Sequence, residues 1–300
     1  RARMVVDNGE LFPRLNEQTA WCLLKEGYVE EVVASIDKFD TLNPDIARML
    51  TGLGYGTLIL EQRQVFPKLD TSTIELLVNQ GFAKEVAEQA DTLTGFTNDI
   101  ARSFIRAGEV TTLADLIEHF SGLTNDVALA LLDRHRGYVI RPQLKRFHDL
   151  SVVCANRLCD DVGMTADIVE NLGCFVGLDA SFANRMVRNG YGRQVLQQIE
   201  LFEGLKKEEL ADWLLEVGSG GLLFEELDRL SGVDERTLVE KIVKLHEQRG
   251  SDTWIHDPGV FKQLSGKQLG MMLIEGGMGQ QVVMRMDRFD GIDSEEAAFA

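Results

Sequence analysis

The chain has 300 residues, 44% of them apolar, and carries 48 acidic against 31 basic side chains for a net charge of -17. That apolar share is ample for burial, so the chain does not read as disordered, and no apolar run approaches the roughly 18 residues of a membrane-spanning helix. A protein this acidic repels a phosphate backbone at long range unless its bases gather on one face, so basic partners or plain solubility explain the charge better.

The dominant signal is self-similarity. Phe12, Phe39, Phe66, Leu93, Phe120 and Phe147 follow one another at 27 residues, and Phe175, Phe202, Leu230, Phe261 and Phe289 continue at steps of 27 to 31. Three residues past nearly every anchor sits an apolar residue, from Leu15 to Ile292. Seven residues before them stands another apolar register, from Val5 through Val32, Val86 and Ile140 to Trp254 and Val282. A short fixed period marks stacked repeats that share one continuous core. The expected fold is all-α, a right-handed α-solenoid of about ten two-helix repeats of 27–31 residues. One array over 1–300 is expected, with repeats starting near 12, 39, 66, 93, 120, 147, 175, 202, 230 and 261 and partial repeats at 1–11 and 289–300. Because the chain opens on Arg1 and neither end has a polar cap, it reads as part of a longer chain or larger assembly.

Within each repeat the signals specify two short helices. Four residues past the anchor come Asn16, Asn43, Asp70, Thr97, Thr124, Ser151, Asp179, Asp234, Ser265 and Asp293, residue types whose side-chain oxygen caps a helix start. Pro44 occupies the first helical position that proline favours. An alanine register follows (Ala20, Ala47, Ala101, Ala128, Ala155, Ala183, Ala297), then apolar pairs such as Leu23/Leu24 and Leu131/Leu132, completing an amphipathic stripe. Gly27, Gly54, Gly81, Gly108, Gly190 and Gly276 then fall in one register, with Gly137, Gly163 and Gly218 slightly later; glycine there ends a helix in the left-handed conformation. A second short helix is expected to run on into the next anchor. Two repeats depart from the rule: 120–146 carries Pro142 in its second helix, and 230–260 has an extended first helix (Leu238, Ile242, Leu245) and an insertion at Gly250-Ser251-Asp252. Cys22, Cys154 and Cys159 lie in apolar registers, so buried thiols in a reducing, cytoplasmic setting are expected.

The phrases Phe120-Ser121-Gly122-Leu123-Thr124, Phe175-Val176-Gly177-Leu178-Asp179 and Phe202-Glu203-Gly204-Leu205 resemble the repeats of a class of bacterial tandem-repeat proteins. The resemblance covers essentially the whole chain, although anchors 93 and 230 are leucine. It implies an α-solenoid and no activity. In general plan the helix pairs are also similar to the DNA-reading transcription-activator-like effectors and the RNA-reading pentatricopeptide proteins, whose base-reading signatures are absent here.

Three features bear on function. Tyr28, Tyr55, Tyr138 and Tyr191, with Phe82, each follow a glycine; they form either an aromatic row that grips a partner or a set of residues that close helix ends by packing back. Acids stand two residues before the anchors at Glu10, Asp37, Asp91, Glu118, Glu200, Asp228 and Asp287, a stripe for a basic partner or a solvated face. Arg134, Arg136, Arg141, Lys145 and Arg146 form an acid-free basic run, extended by Arg157, Arg185, Arg188 and Arg193, either a phosphate or acidic-peptide site or ordinary surface. His119, His135, His148, His246 and His256 show no metal-ligand spacing, and no nucleophile motif or phosphate loop occurs. The expected function is a non-enzymatic scaffold for a protein or peptide, with no cofactor or metal. The alternative is nucleic-acid binding centred on residues 134–193.

Overall fold

The computed structural model describes residues 4–5, 8, 11–249, 255 and 258–292. Glu10, Gly250-Ser251-Asp252, Trp254, His256, Asp293 and Ala297 lie outside the described residues. The protein is all-α, its helices joined by short turns, with extended pairing among the described residues limited to two-residue strands and isolated parallel bridges. Two compact units are formed, Arg1–Leu150 with Arg157–Met164, and Ser151–Asn156 with Thr165–Ala300. The boundary passes through the helix Val152–Val162.

The first unit contains the helix pairs Glu17–Lys25/Val29–Ala34, Pro44–Gly52/Gly56–Glu61, Thr71–Asn79/Ala83–Glu88 and Asn98–Arg106/Val110–Asp115, followed by Asn125–Asp133 and the four-residue Ile140–Gln143. The second contains Thr165–Glu170, Ala180–Arg188/Gly192–Gln197, Lys207–Glu216/Gly220–Glu225, the long Glu235–Arg249, and Gly266–Leu273 with Gly279–Val283. Sequence dictates the helix starts. Asn16, Asn43, Asp70, Asp179 and Ser265 each accept a backbone N–H of the first turn, and Gln268 completes a capping box with Ser265. Thr97 and Thr124 hold the cap position without a side-chain cap bond. The six described alanines of the recurrent register are fully buried, so successive first helices approach closely. In the first unit Thr71–Asn79 packs on both Pro44–Gly52 and Asn98–Arg106; in the second, Lys207–Glu216 packs on Ala180–Arg188 and Glu235–Arg249.

Every anchor from Phe39 to Phe289 is buried, while Phe12 is half-buried. The second helix does not run on into the anchor as expected. It stops after about six residues and hands over to a separate 3-10 turn, as at Ile36–Lys38, Ile117–His119 and Ile199–Leu201. The change frees backbone groups for pairing with the preceding turn: Leu15, Leu42 and Leu123 donate N–H to the carbonyls of Lys38, Val65 and Arg146 at 2.8, 2.7 and 2.9 Å. In the second unit Leu178–Asp179 pairs in parallel with Phe202–Glu203.

Two glycines differ from expectation. Gly54 has φ +96° and ends its helix as predicted, but Gly137 has ordinary φ, and His135 takes the left-handed conformation at φ 57°. A Cβ on Gly137 would lie 2.5 Å from Leu132 Cδ2 and 2.8 Å from Val162 Cγ2, so this glycine is required by close packing. Gly276 likewise gives way to Gly277, which carries the positive φ of 78°. Cys154 and Cys159 are buried, Cys174 is half-buried, and Cys22 is exposed, against expectation, because it sits on the outer side of Glu17–Lys25.

Glu235 is a buried carboxylate, 6% exposed. Its Oε1 accepts the N–H of Lys262 at 2.8 Å, and its Oε2 accepts those of Gln263 and Leu264 at 2.7 and 3.2 Å. A buried acceptor with three backbone donors anchors the turn after Phe261, and removing it strands those donors. Glu235→Ala is therefore expected to cost roughly 3 kcal/mol, read as faster amide hydrogen exchange at residues 262–264, with Glu235→Gln intermediate. Gly56→Ala should cost about 1–3 kcal/mol, since its Cβ would lie 2.5 Å from the Phe82 ring; Phe82→Leu in the same chain should restore part of the loss in urea unfolding.

Candidate functional site

The aromatic residues divide into two sets. Tyr28, Tyr55, Phe82 and Tyr191 are half-buried and stand just before the second helices. Their backbone N–H groups donate to Leu23, Leu50, Leu77 and Met186 at 3.0, 3.0, 3.1 and 3.0 Å, which closes the preceding helix. Two of the side chains reach the previous helix pair: Tyr55 Oη donates to Glu30 Oε1 at 2.9 Å, and the Phe82 ring covers Gly56. The hydrogen bond to Glu30 raises the Tyr55 phenol above its ordinary value. Tyr138 is out of register with these four. It lies in the 3-10 turn Gly137–Val139, is 55% exposed, and accepts a hydrogen bond from Arg136 Nη1 at 2.9 Å.

The basic run also divides. Arg141 Nη2 donates to the carbonyls of Val162 and Gly163 at 3.2 and 2.9 Å, tying down a helix end. Arg146 donates to Gln143 Oε1 at 2.6 Å and to the Phe120 carbonyl at 2.9 Å. Arg134 and Lys145 are exposed and have no side-chain partner among the described residues. Arg157 pairs with Asp133 at 2.6 Å and Asp161 at 3.4 Å. In the second unit Arg188 pairs with Glu216 at 3.3 Å, and Arg193 with Glu225 and Glu226.

Those pairs belong to a wider pattern that the sequence reading missed. Arg48 bridges to Asp70 at 3.0 Å, Arg102 to Asp126 at 2.6 Å and Arg106 to Glu75 at 2.9 Å, each from one first helix to a neighbouring helix pair. Lys241 bridges to Asp212 in the same way. Residues at the first helical position add polar links: Glu17 accepts from Asn43 Nδ2 at 2.6 Å, and Asn98 Oδ1 accepts the Thr124 N–H at 3.1 Å. A spacing of 22 to 31 residues between opposite charges was the available signal. The acids of the expected stripe, Asp37, Asp91, Glu118, Glu200, Asp228 and Asp287, are all exposed.

In the second unit three grooves open on the first-helix face. One of about 560 Å³ lies between Arg236, Leu264, Lys267, Met271, Met272 and Glu275. A second, of about 450 Å³, has Val243 and Met272 between Arg236, Glu240, Lys244 and Glu247. The third, of about 230 Å³, lies between Leu215, Glu216, Lys244, Leu245 and Gln248. An apolar floor with rims of both charge signs suits a peptide better than a small charged substrate. Among the described residues no group of three histidine, cysteine or acidic side chains could hold a metal, and no helix is long and apolar enough to cross a membrane. No family model, curated protein or solved structure matches the chain.

Burial pushes the Asp126 carboxyl up, but hydrogen bonds from Arg102 and Thr124 outweigh it and hold the group below its ordinary range. A carboxyl depressed on folding stabilises above its unfolded value of about 4 and loses that contribution as pH falls through the folded value. Arg102→Met should thus lower stability slightly at neutral pH, the pair being half exposed. The difference between variant and parent in urea unfolding should shrink below about pH 4.

Proposed function

We propose that the chain is a right-handed α-solenoid of about ten two-helix repeats that works as a non-enzymatic scaffold, holding a protein or peptide segment along its surface. The observation that carries the reading is the set of grooves between successive first helices, with apolar floors and rims of mixed charge. Helix pairs stacked in one direction repeat such a groove at each layer, and an extended segment can engage several in succession. The anchors, caps and inter-pair bonds recur at the sequence period, which supports stacking as the organising rule. Methionines in the floor, Met271 and Met272, fit a surface that adapts to a partner's side chains. Solenoids host unrelated functions, so the site and not the fold carries the proposal.

The test is retention of a partner on the immobilised chain through nuclease treatment and a salt ramp. A protein retained in moderate salt is expected, and Met271→Glu with Lys244→Glu should weaken its retention about tenfold or more while the circular dichroism spectrum stays unchanged. Recovery only of nucleic acid, released steeply by salt, would overturn the reading.

A further inference from the structure

Most arginines elsewhere in the first unit are matched to carboxylates: Arg14 to Asp40, Arg48 to Asp45 and Asp70, Arg102 to Asp99 and Asp126, and Arg106 to Glu75, whereas the half-buried Arg63 donates to the Phe66 carbonyl. The segment from Arg134 to Arg146 breaks that rule. Arg134 and Lys145 have no side-chain partner among the described residues, Arg136 bonds the neutral hydroxyl of Tyr138, and Arg146 bonds neutral oxygens of Gln143 and Phe120. Four cations therefore stand without a carboxylate in a chain of net charge -17. We infer that this segment is a docking site for an acidic peptide, a short run of closely spaced carboxylates on a protein partner. The inference rests on the scaffold reading and names the chemistry of one partner.

Three observations favour a peptide over a nucleic acid. The basic surface is confined to one helix pair: Lys145 stands in the register that holds Asp37, Asp91 and Glu118 in earlier pairs, and those acids are exposed. A helix layer is about 8–10 Å deep and spans about three residues of extended chain at about 3.3 Å each. A duplex carries a charge every ~1.7 Å of its axis without interruption, and its neighbouring phosphates would face Glu118 and Asp91. Two or three carboxylates end before reaching them. Second, Arg136 and Arg146 are held by bonds to neutral oxygens, so their planar forks are ordered before binding and suited to bidentate carboxylate contacts. Third, Tyr138 departs from the half-buried row and presents its ring beside Arg136, 55% exposed, supplying apolar contact next to the charges.

Fluorescence anisotropy of the full chain with a short labelled Asp/Glu-rich peptide tests this, beside its Asn/Gln counterpart and a single-stranded oligonucleotide of equal charge. Saturable binding of the acidic peptide alone is expected, weakened about tenfold or more by Arg134→Glu with Lys145→Glu. Lys84→Glu, which reverses an exposed base outside the segment, should leave it unchanged. If the double variant loses helicity, Arg136→Gln with Tyr138→Ala replaces it and should weaken binding likewise. Absence of saturable peptide binding, unchanged affinity in the folded variants, or tighter binding of the oligonucleotide would overturn the inference. A protein partner retained equally by parent and variant on the immobilised chain would leave the scaffold reading standing while this site fell.

Discussion

The seam between one turn and the next anchor governs everything else in this protein. First helices of about nine residues and second helices of about six are too short to persist alone in water. The pairs are held by their buried anchors from Phe39 onward and, at several seams, by a backbone hydrogen bond donated by the preceding turn, as Leu15 does to Lys38 and Leu123 to Arg146. Those bonds set the distance and the register between neighbouring pairs. The short 3-10 turn before anchors such as Phe39 and Phe120 stands where the second helix has ended, so the break in the second helix is part of the same device.

Electrostatics is organised on the same period. Salt bridges on the first helices run between neighbouring pairs as well as within one helix, and the side chain at the first helical position often reaches the following turn. Exposed pairs of this kind contribute little each. Glu235 is the extreme case, with its carboxylate buried among three backbone donors. Most arginines are committed to these links, which is why the few bases without a carboxylate stand out.

This economy shapes the functional reading. Bases used to join helix pairs are not available to a phosphate backbone, and the acids of the 3-10 turns remain exposed. A surface of that kind favours partners met by a local groove or a local charge reversal over one tracked along its whole length. The grooves of the second unit and the basic segment of the first are two such places, each understood within its own unit.

Much of the fold could be read from the chain because its signals are local. A cap oxygen at Asn43 or Asp70 needs only the following turn, and Gly54 needs only its own φ. Periodicity then told which side chains are buried, and the anchors and alanines obeyed it. Local rules failed where a residue answers to a neighbour about 27 residues away. Gly137 looked like a helix stop but is demanded by Leu132 and Val162, Tyr138 looked like a member of the aromatic row but lies outside it, and nothing near Glu235 foretold three donors from residues 262–264. The sequence by itself determined the helical class, the period and the caps, since these follow from backbone preference and hydrophobic spacing. Only the tertiary structure decided which charges pair, which arginines keep no carboxylate and where grooves open, because those depend on which side chains stacking brings within bonding distance.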